Sequence, residues 1–75
     1  MFTAEGGTIS GELDLRVDTA GHGLVRYRHT SVWYTIGNLD DDPPRTWANT
    51  AELVAAVTAE VGRRDAAGNT IPFEA

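Results

Sequence analysis

The chain has 75 residues, and its eleven acidic and six basic residues give a formal net charge of −5 at pH 7. A chain of this length forms one domain at most and buries only about 60% of its unfolded surface. It contains no cysteine, which excludes disulfides and thiolate metal sites. The negative charge opposes binding to nucleic acid phosphates and favours a partner with a basic surface.

The chain start and the apolar runs give no targeting signal. Residues 1–5 lack a basic start followed by an apolar run, so we expect no signal peptide. No apolar stretch approaches the length of a membrane span. All six basic residues are arginine, a usage typical of GC-rich coding sequence. We therefore expect a soluble, cytoplasmic protein of bacterial origin.

The first regular element follows a glycine pair. Residues 1–7 end in Gly6 and Gly7 and are predicted to be a flexible arm, which leaves residues 8–75 as a single small α+β domain. From Thr8 to Val17, apolar residues and glycine alternate strictly with polar residues. Such alternation predicts a half-buried strand over this whole segment.

Turn residues at 18–23 separate this strand from the next. Between Leu24 and Ile36 the apolar residues change parity near residues 29–31. One straight strand cannot bury both sets, because side chains alternate with period two. We predict a second hairpin with strands near 24–29 and 31–37; the alternative is one long bent strand.

A single helix is predicted after the proline pair at 43–44. Asn49 and Glu52 match a capping box, so the helix should begin at Asn49. It should end at Gly62 or Gly68. Its apolar stripe is predicted to comprise Leu53, Val54, Val57 and Val61. The tail, residues 69–75, either adds an edge strand or covers the core.

These elements predict a three-stranded antiparallel β-meander with one C-terminal amphipathic helix packed on one sheet face. The helix stripe should cover one set of sheet residues: Ile9, Leu13, Leu15, Val25, Tyr27, Tyr34 and Ile36. The opposite sheet face should then stay open to solvent, which makes it a platform for a partner or a second protomer.

The predicted hairpin carries the first candidate binding residues, Arg26, Arg28, Trp33 and Tyr34. Arginines beside an aromatic ring on a sheet can hold phosphates and stack bases. The same arginines could instead pair across strands with Glu12 and Asp14 and lie over the tryptophan ring. The net charge favours this structural interpretation.

An acidic loop and a second tryptophan complete the candidate site. Asp40, Asp41 and Asp42 lack the glycine and the bidentate glutamate of an EF-hand loop, so they are interpreted as a solvated loop or a docking patch for a basic partner. Trp47, before the helix, either fills the gap between helix and sheet or, if exposed, anchors a protein partner.

Two further features support weaker hypotheses. His22 and His29 could serve metal binding or acid–base chemistry, but the additional ligands and a nucleophile are missing from the sequence. A row of alanines on the helix could meet another copy of the chain or simply be a good surface helix former. We predict no metal and no cofactor.

The sequence favours a small, acidic, non-catalytic protein-interaction module of the adaptor, inhibitor or immunity type. It would bind a protein partner through the open sheet face and the acidic loop, and it could form a homodimer. The alternative is a single-stranded nucleic acid or nucleotide binder that uses the arginine and aromatic residues of the hairpin. An enzyme is the weakest hypothesis, because so short a chain can scarcely enclose a pocket.

Overall fold

A computed structural model describes all 75 residues as five short strands and one helix. The elements are β1 Phe2–Thr3, β2 Gly7–Thr8, β3 Leu13–Val17, β4 Gly23–Tyr27, β5 Tyr34–Thr35 and α1 Thr50–Glu60. Strands β3, β4 and β5 form a three-stranded antiparallel meander in that order, and β1 and β2 form a separate two-stranded sheet. The predicted α+β class and the meander are confirmed.

The strand predicted from Thr8 to Val17 is shorter in the structure. Strand β3 begins at Leu13 and pairs with β4 over five residues. Upstream, Ile9 exchanges backbone hydrogen bonds of 2.8 Å with Met1 instead of continuing the sheet. Gly11 has a φ of 113°, a conformation that an L-residue rarely adopts, and it turns the chain between the two pairings.

The N-terminal residues, predicted as a loose arm, are folded onto the domain. Thr3 is buried, and its hydroxyl donates to the Gly7 carbonyl at 2.6 Å. Thr3 also forms an antiparallel bridge with Ile36. This bridge, together with the bond from the Ala4 amide to the Thr35 carbonyl, places β1 beside the free edge of β5. Residues 4–6 form the turn between β1 and β2, and Gly7 pairs with Thr3.

The parity change near residue 29 is a turn, as the hairpin prediction requires. His29 has a φ of 67°, and the backbone amide and the hydroxyl of Thr30 both donate to the Tyr27 carbonyl. Strand β5 is limited to two residues, with Tyr34 opposite Val25. Strands β4 and β5 are therefore separate, and the alternative of one bent strand is wrong.

Two loops of the chain share one hydrogen-bonding pattern, at residues 18–22 and 65–69. In each, the first aspartate accepts from the amides two and four residues later through Oδ1, at distances of 2.9–3.0 Å. The glycines Gly21 and Gly68 occupy the fourth position with φ of 86° and 84°. The aspartate and the glycine together specify this turn, because one satisfies the amides and the other permits the positive φ.

Acidification is expected to weaken the first of these loops. The amide of His22 donates to Asp18, and this bond is the main cause that lowers the pKa of the Asp18 carboxyl below its ordinary value of 3.8. A lowered folded-state pKa contributes stability above the unfolded pKa, and that contribution is lost as the pH falls through the folded pKa. Asp18→Asn keeps an oxygen acceptor but does not titrate, so its thermal midpoint should fall less than wild type between pH 5 and pH 2.

The control for this prediction is Asp40→Asn, which removes one carboxylate that accepts no hydrogen bond from the chain. Asp40→Asn should retain the wild-type pH dependence of the thermal midpoint, measured by circular dichroism. Parallel curves for wild type and Asp18→Asn would show that the loop carboxylate does not contribute to acid unfolding.

The helix begins where the capping residues predict. The Asn49 Oδ1 accepts a 2.9 Å hydrogen bond from the Glu52 amide. The Glu52 carboxylate reaches back to the Ala48 amide at 3.1 Å, one residue before the position that a capping box predicts. Of the two predicted ends, Gly62 is the one that follows the last turn, with a φ of 79°.

The predicted apolar stripe of the helix is wrong at two of its four positions. Leu53 is fully buried, whereas Val54 is 44% and Val61 is 75% exposed. The inward side instead comprises Leu53, Ala56, Val57 and Glu60, which follow the i, i+3, i+4, i+7 spacing of one helix face. Val61 lies beyond the last helical residue, which explains its exposure.

The core gathers residues from all parts of the chain. Its buried apolar residues are Ile9, Val25, Ile36, Leu53 and Ala75. The tail forms no strand, but its backbone is fixed by a bond from the Phe2 amide to the Phe73 carbonyl and one from the Ala75 amide to the Gly37 carbonyl, each of 2.9 Å. The tail therefore covers the core. The single helix is too short to cross a membrane.

Candidate functional site

The candidate site lies on the face of the meander that points away from Val25 and Leu53, which we call the outer face. The pairings of Asp14 with Arg26 and of Leu24 with Thr35 place these side chains on one side of the sheet, because side chains alternate along each strand. The outer face presents Asp14, Arg16, Leu24, Arg26, Trp33 and Thr35. Val25, which faces the other side of the sheet, belongs to the same buried core as Leu53 of the helix.

Trp33 is the centre of the outer face. The guanidinium carbons of Arg26 and Arg16 lie 4.6 Å and 5.1 Å from the centroid of its ring. Both distances fall within the range of cation–π attraction. The indole is half-buried, so two arginine side chains shield an otherwise exposed aromatic residue.

Two carboxylates, Asp14 in β3 and Glu12 just before it, orient Arg26 and Arg28. Arg26 Nε donates to Asp14 Oδ2 at 3.0 Å. Arg28 makes two longer ion pairs of 3.7 Å, one with Glu12 and one with Asp14. The geometry therefore matches the structural interpretation of the hairpin arginines, in which they pair with carboxylates of the neighbouring strand and Arg26 lies over the tryptophan ring.

Arg16 is a residue that the sequence analysis did not select. It has no carboxylate within 4.0 Å, whereas Arg26 and Arg28 both do. Its guanidinium is held only over the ring of Trp33. The signal was present in the sequence, because Arg16 occupies a water-facing position of the strand, beside the predicted partner strand.

Glu5 completes the border of the outer face. Its carboxylate accepts from the Thr35 amide at 2.7 Å and from the Thr35 hydroxyl at 2.9 Å. Three arginines and three carboxylates therefore share this face: Arg16, Arg26, Arg28, Glu5, Glu12 and Asp14. The face is neutral, and the net charge of −5 resides on the rest of the molecule.

The structure separates Tyr34 and the acidic loop from this cluster. Tyr34 pairs with Val25 and so points to the opposite side of the sheet, where its ring lies against Gly6. The loop that carries Asp40, Asp41 and Asp42 is closed by Asn38, whose side chain bonds the amide and the carbonyl of Asp42. The same Asn38 side chain donates to the Ala75 carbonyl at 3.0 Å, which ties the loop to the tail.

Trp47 also lies apart from the outer face. Its ring is half-buried, its centroid is 6.1 Å from that of Phe73, and Arg45 lies over it at 5.6 Å. The ring also borders Gly23 in β4. This placement matches the interpretation that Trp47 fills the gap between helix and sheet.

The two histidines lie at opposite ends of β4. His22 Nδ1 lies 3.5 Å from Asp18 Oδ2, and His29 is exposed in the β4–β5 turn. No group of three or more histidine, cysteine or acidic side chains is arranged to hold a metal ion. The arrangement at His22 is a loop contact, because a metal site needs three or four ligands.

Comparison with known proteins adds no further assignment. No protein-family model, no curated protein and no solved structure matches this chain.

Proposed function

We propose that the protein is a small, non-catalytic protein-interaction module that binds its partner through the outer face. The observation that carries this proposal is Trp33, held between the guanidinium groups of Arg16 and Arg26 on the outer face. Tryptophan and arginine are the residues most enriched among those that dominate interface energetics.

The order of the cluster favours binding. Asp14 fixes the Arg26 side chain, and Trp33 is fixed in turn by the two stacked guanidinium groups. Ordering a long side chain at an interface costs about 0.5–1.5 kcal/mol. Because part of this cost is met in the free protein, a partner that covers the indole gains a larger share of the burial energy.

The charge distribution suggests how a partner would approach. The outer face is neutral, while the acidic residues elsewhere, including Asp40, Asp41 and Asp42, give the molecule a net charge of −5. A negative field accelerates encounter with a basic surface. We therefore propose a protein partner with a basic surface. We propose that the two proteins meet in the cytoplasm.

The test is affinity capture with three matched baits: wild type, Trp33→Ala and Val32→Ala. Val32 is 57% exposed and adjacent in the chain, but it is not part of the outer-face cluster. A partner bound through the outer face should be retained by Val32→Ala and lost by Trp33→Ala, with an affinity loss of about 30-fold or more. Equal capture by all three folded baits would contradict the proposal.

One observation keeps the nucleic acid alternative in view. Arg16 has a guanidinium that no carboxylate neutralises, and it lies beside an aromatic ring, the combination that single-strand binders use. Tryptophan fluorescence titrated with oligonucleotides at low and high salt separates the two functions. A salt-dependent shift that Arg16→Ala abolishes and Arg64→Ala preserves would favour the nucleic acid function over the protein partner.

A further inference from the structure

The outward edge of β3 carries backbone groups without partners. The ladder bonds of β3 with β4 are made by alternate residues, as the bonds from the Arg28 amide to Glu12 and from the Asp18 amide to His22 show. Antiparallel ladders alternate in this way, so Leu13 and Leu15 direct their N–H and C=O groups away from β4. None of these groups has a hydrogen-bond partner within the chain.

An apolar groove of about 370 Å³ adjoins this edge. Its apolar lining comes from β3, from the end of the helix and from the tail, and includes Leu13, Leu15, Val57, Val61, Ile71 and Phe73. A volume of this size lies within the range of ligand-binding pockets. Val61, which is 75% exposed just beyond the helix end, lies on the rim of the groove.

The geometry disfavours a second copy of β3 as the occupant. If two copies of β3 paired antiparallel with Leu15 at the centre, Asp14 of each copy would lie opposite Arg16 of the other. The second strand would then extend past Val17. That space is occupied by the Thr50 hydroxyl, which accepts from the Val17 amide at 3.3 Å. A register centred on Leu13 avoids Thr50 but places Asp14 of one copy opposite Glu12 of the other. Like charges directly opposite each other destabilise a sheet.

We propose that this edge and groove bind an extended peptide segment of a partner protein, in which apolar and basic residues alternate. The segment would add a short strand to β3 at Leu13 and Leu15. Its backbone would bond their free amides and carbonyls, and its apolar side chains would enter the groove. Its intervening side chains would point to the outer-face side.

The outer face as a whole is neutral, but the two β3 residues that flank Leu13 on that side, Glu12 and Asp14, are both acidic. In a register with an apolar residue opposite Leu13, the intervening side chains lie opposite Glu12 and Asp14 and not opposite Arg16. The Glu12 side chain is 78% exposed with a single ion pair of 3.7 Å, so basic residues suit these positions. Opposite charges on adjacent strands attract. The free edge at Leu13 and Leu15 and the groove do not include Trp33, although Asp14 lies between the two sites. Binding at the edge is therefore distinguished from binding at Trp33 by which residues respond.

The test uses three synthetic peptides with blocked ends. The first is Val-Lys-Val-Lys-Val, the second has N-methyl groups on the amides that would bond β3, and the third replaces lysine by glutamate. The first peptide should bind, and the amides of Leu13 and Leu15 should show the largest shifts in ¹⁵N NMR spectra and slower hydrogen exchange. The methylated peptide should bind at least about tenfold more weakly, because each lost bond reduces affinity about fivefold.

The glutamate peptide should also bind more weakly, and the weakening should diminish at high salt. A methylated peptide that binds as well as the first, shifts centred on Trp33, or no binding at about 1 mM would each overturn the inference. The capture experiment tests a different surface. If Trp33→Ala retained the captured partner, the proposed function would be contradicted, but the peptide could still shift the amides of Leu13 and Leu15.

A variant of the groove supplies a second measurement. Val61→Gln changes the rim without touching the buried core, and Val54→Gln is the matched control, an exposed valine that does not line the groove. Val61→Gln should weaken binding of the Val-Lys peptide about fivefold or more, whereas Val54→Gln should bind as wild type. Equal affinities for the two variants would show that the peptide does not occupy the groove.

Discussion

Replacement of Leu53 by alanine is expected to lower the free energy of unfolding by about 3 kcal/mol. Leu53 is the one fully buried side chain of the helix, and it packs in the core with Val25 and Ile36. Alanine removes three carbon atoms from this position, and the loss combines the transfer energy of those atoms with the cavity that remains. A chain of this size has little stability in reserve.

Urea unfolding followed by circular dichroism measures the effect, and Val54→Ala is the control. Val54 is 44% exposed, so its truncation should cost less than about 1 kcal/mol. The two substitutions thereby rank the helix positions directly. Equal losses at Leu53 and Val54 would restore the broader apolar stripe that the sequence predicts and would contradict the observed orientation of the helix.

The start of the helix could be predicted from the local sequence, but its buried face could not. Asn49 and Glu52 predict its start because capping is a bond between neighbours in the chain. The buried face was harder to predict, because the stripe through Val54 and Val61 is more apolar than the observed face, which uses Ala56 and Glu60. Glu60 tolerates its half-buried position because its carboxylate pairs with Arg63, three residues on, and with Arg45, fifteen residues earlier in the chain. The periodicity of the helix does not reveal the pairing with Arg45.

For the strands, too, a feature set by neighbouring residues was predicted and one set by distant contacts was not. The parity change near His29 predicted the β4–β5 turn, since period two is a local property. The alternation from Thr8 to Val17 did not reveal that the strand would break at Gly11. The break depends on pairings made elsewhere: Ile9 pairs with Met1, and Thr3 pairs with Ile36. A local pattern does not reveal contacts between the chain start and its middle.

The candidate site was predictable where strand parity decides it. Parity placed Arg26, Arg28 and Trp33 together, and the structure brings these side chains into one cluster. Arg16 occupies a water-facing position that the alternation predicts, but the alternation does not show that its guanidinium reaches across β4 to the ring of Trp33. Trp47 and the acidic loop were grouped with the site by chemical type alone, and tertiary packing directs them elsewhere.

Gly23→Ala is expected to destabilise the protein by about 1–3 kcal/mol, although it replaces a strand glycine by a residue that reduces chain entropy. A Cβ at this position would lie 3.0 Å from Trp47 Cζ3, 3.2 Å from Ile36 Cδ1 and 3.4 Å from Leu53 Cδ1. The nearest of these atoms belong to a half-buried ring and a fully buried side chain, so the methyl group cannot be accommodated by rotation of a surface residue.

The control is Gly37→Ala, at a glycine that is also buried. A Cβ there would meet the Ala4 Cβ at 3.5 Å, an ordinary contact, so the unfolding free energy should change by less than about 0.5 kcal/mol. A stable Gly23→Ala variant would mean that Trp47 can move away from the sheet. Trp47 would then be available as an interface anchor, and binding could not be assigned to Trp33 alone.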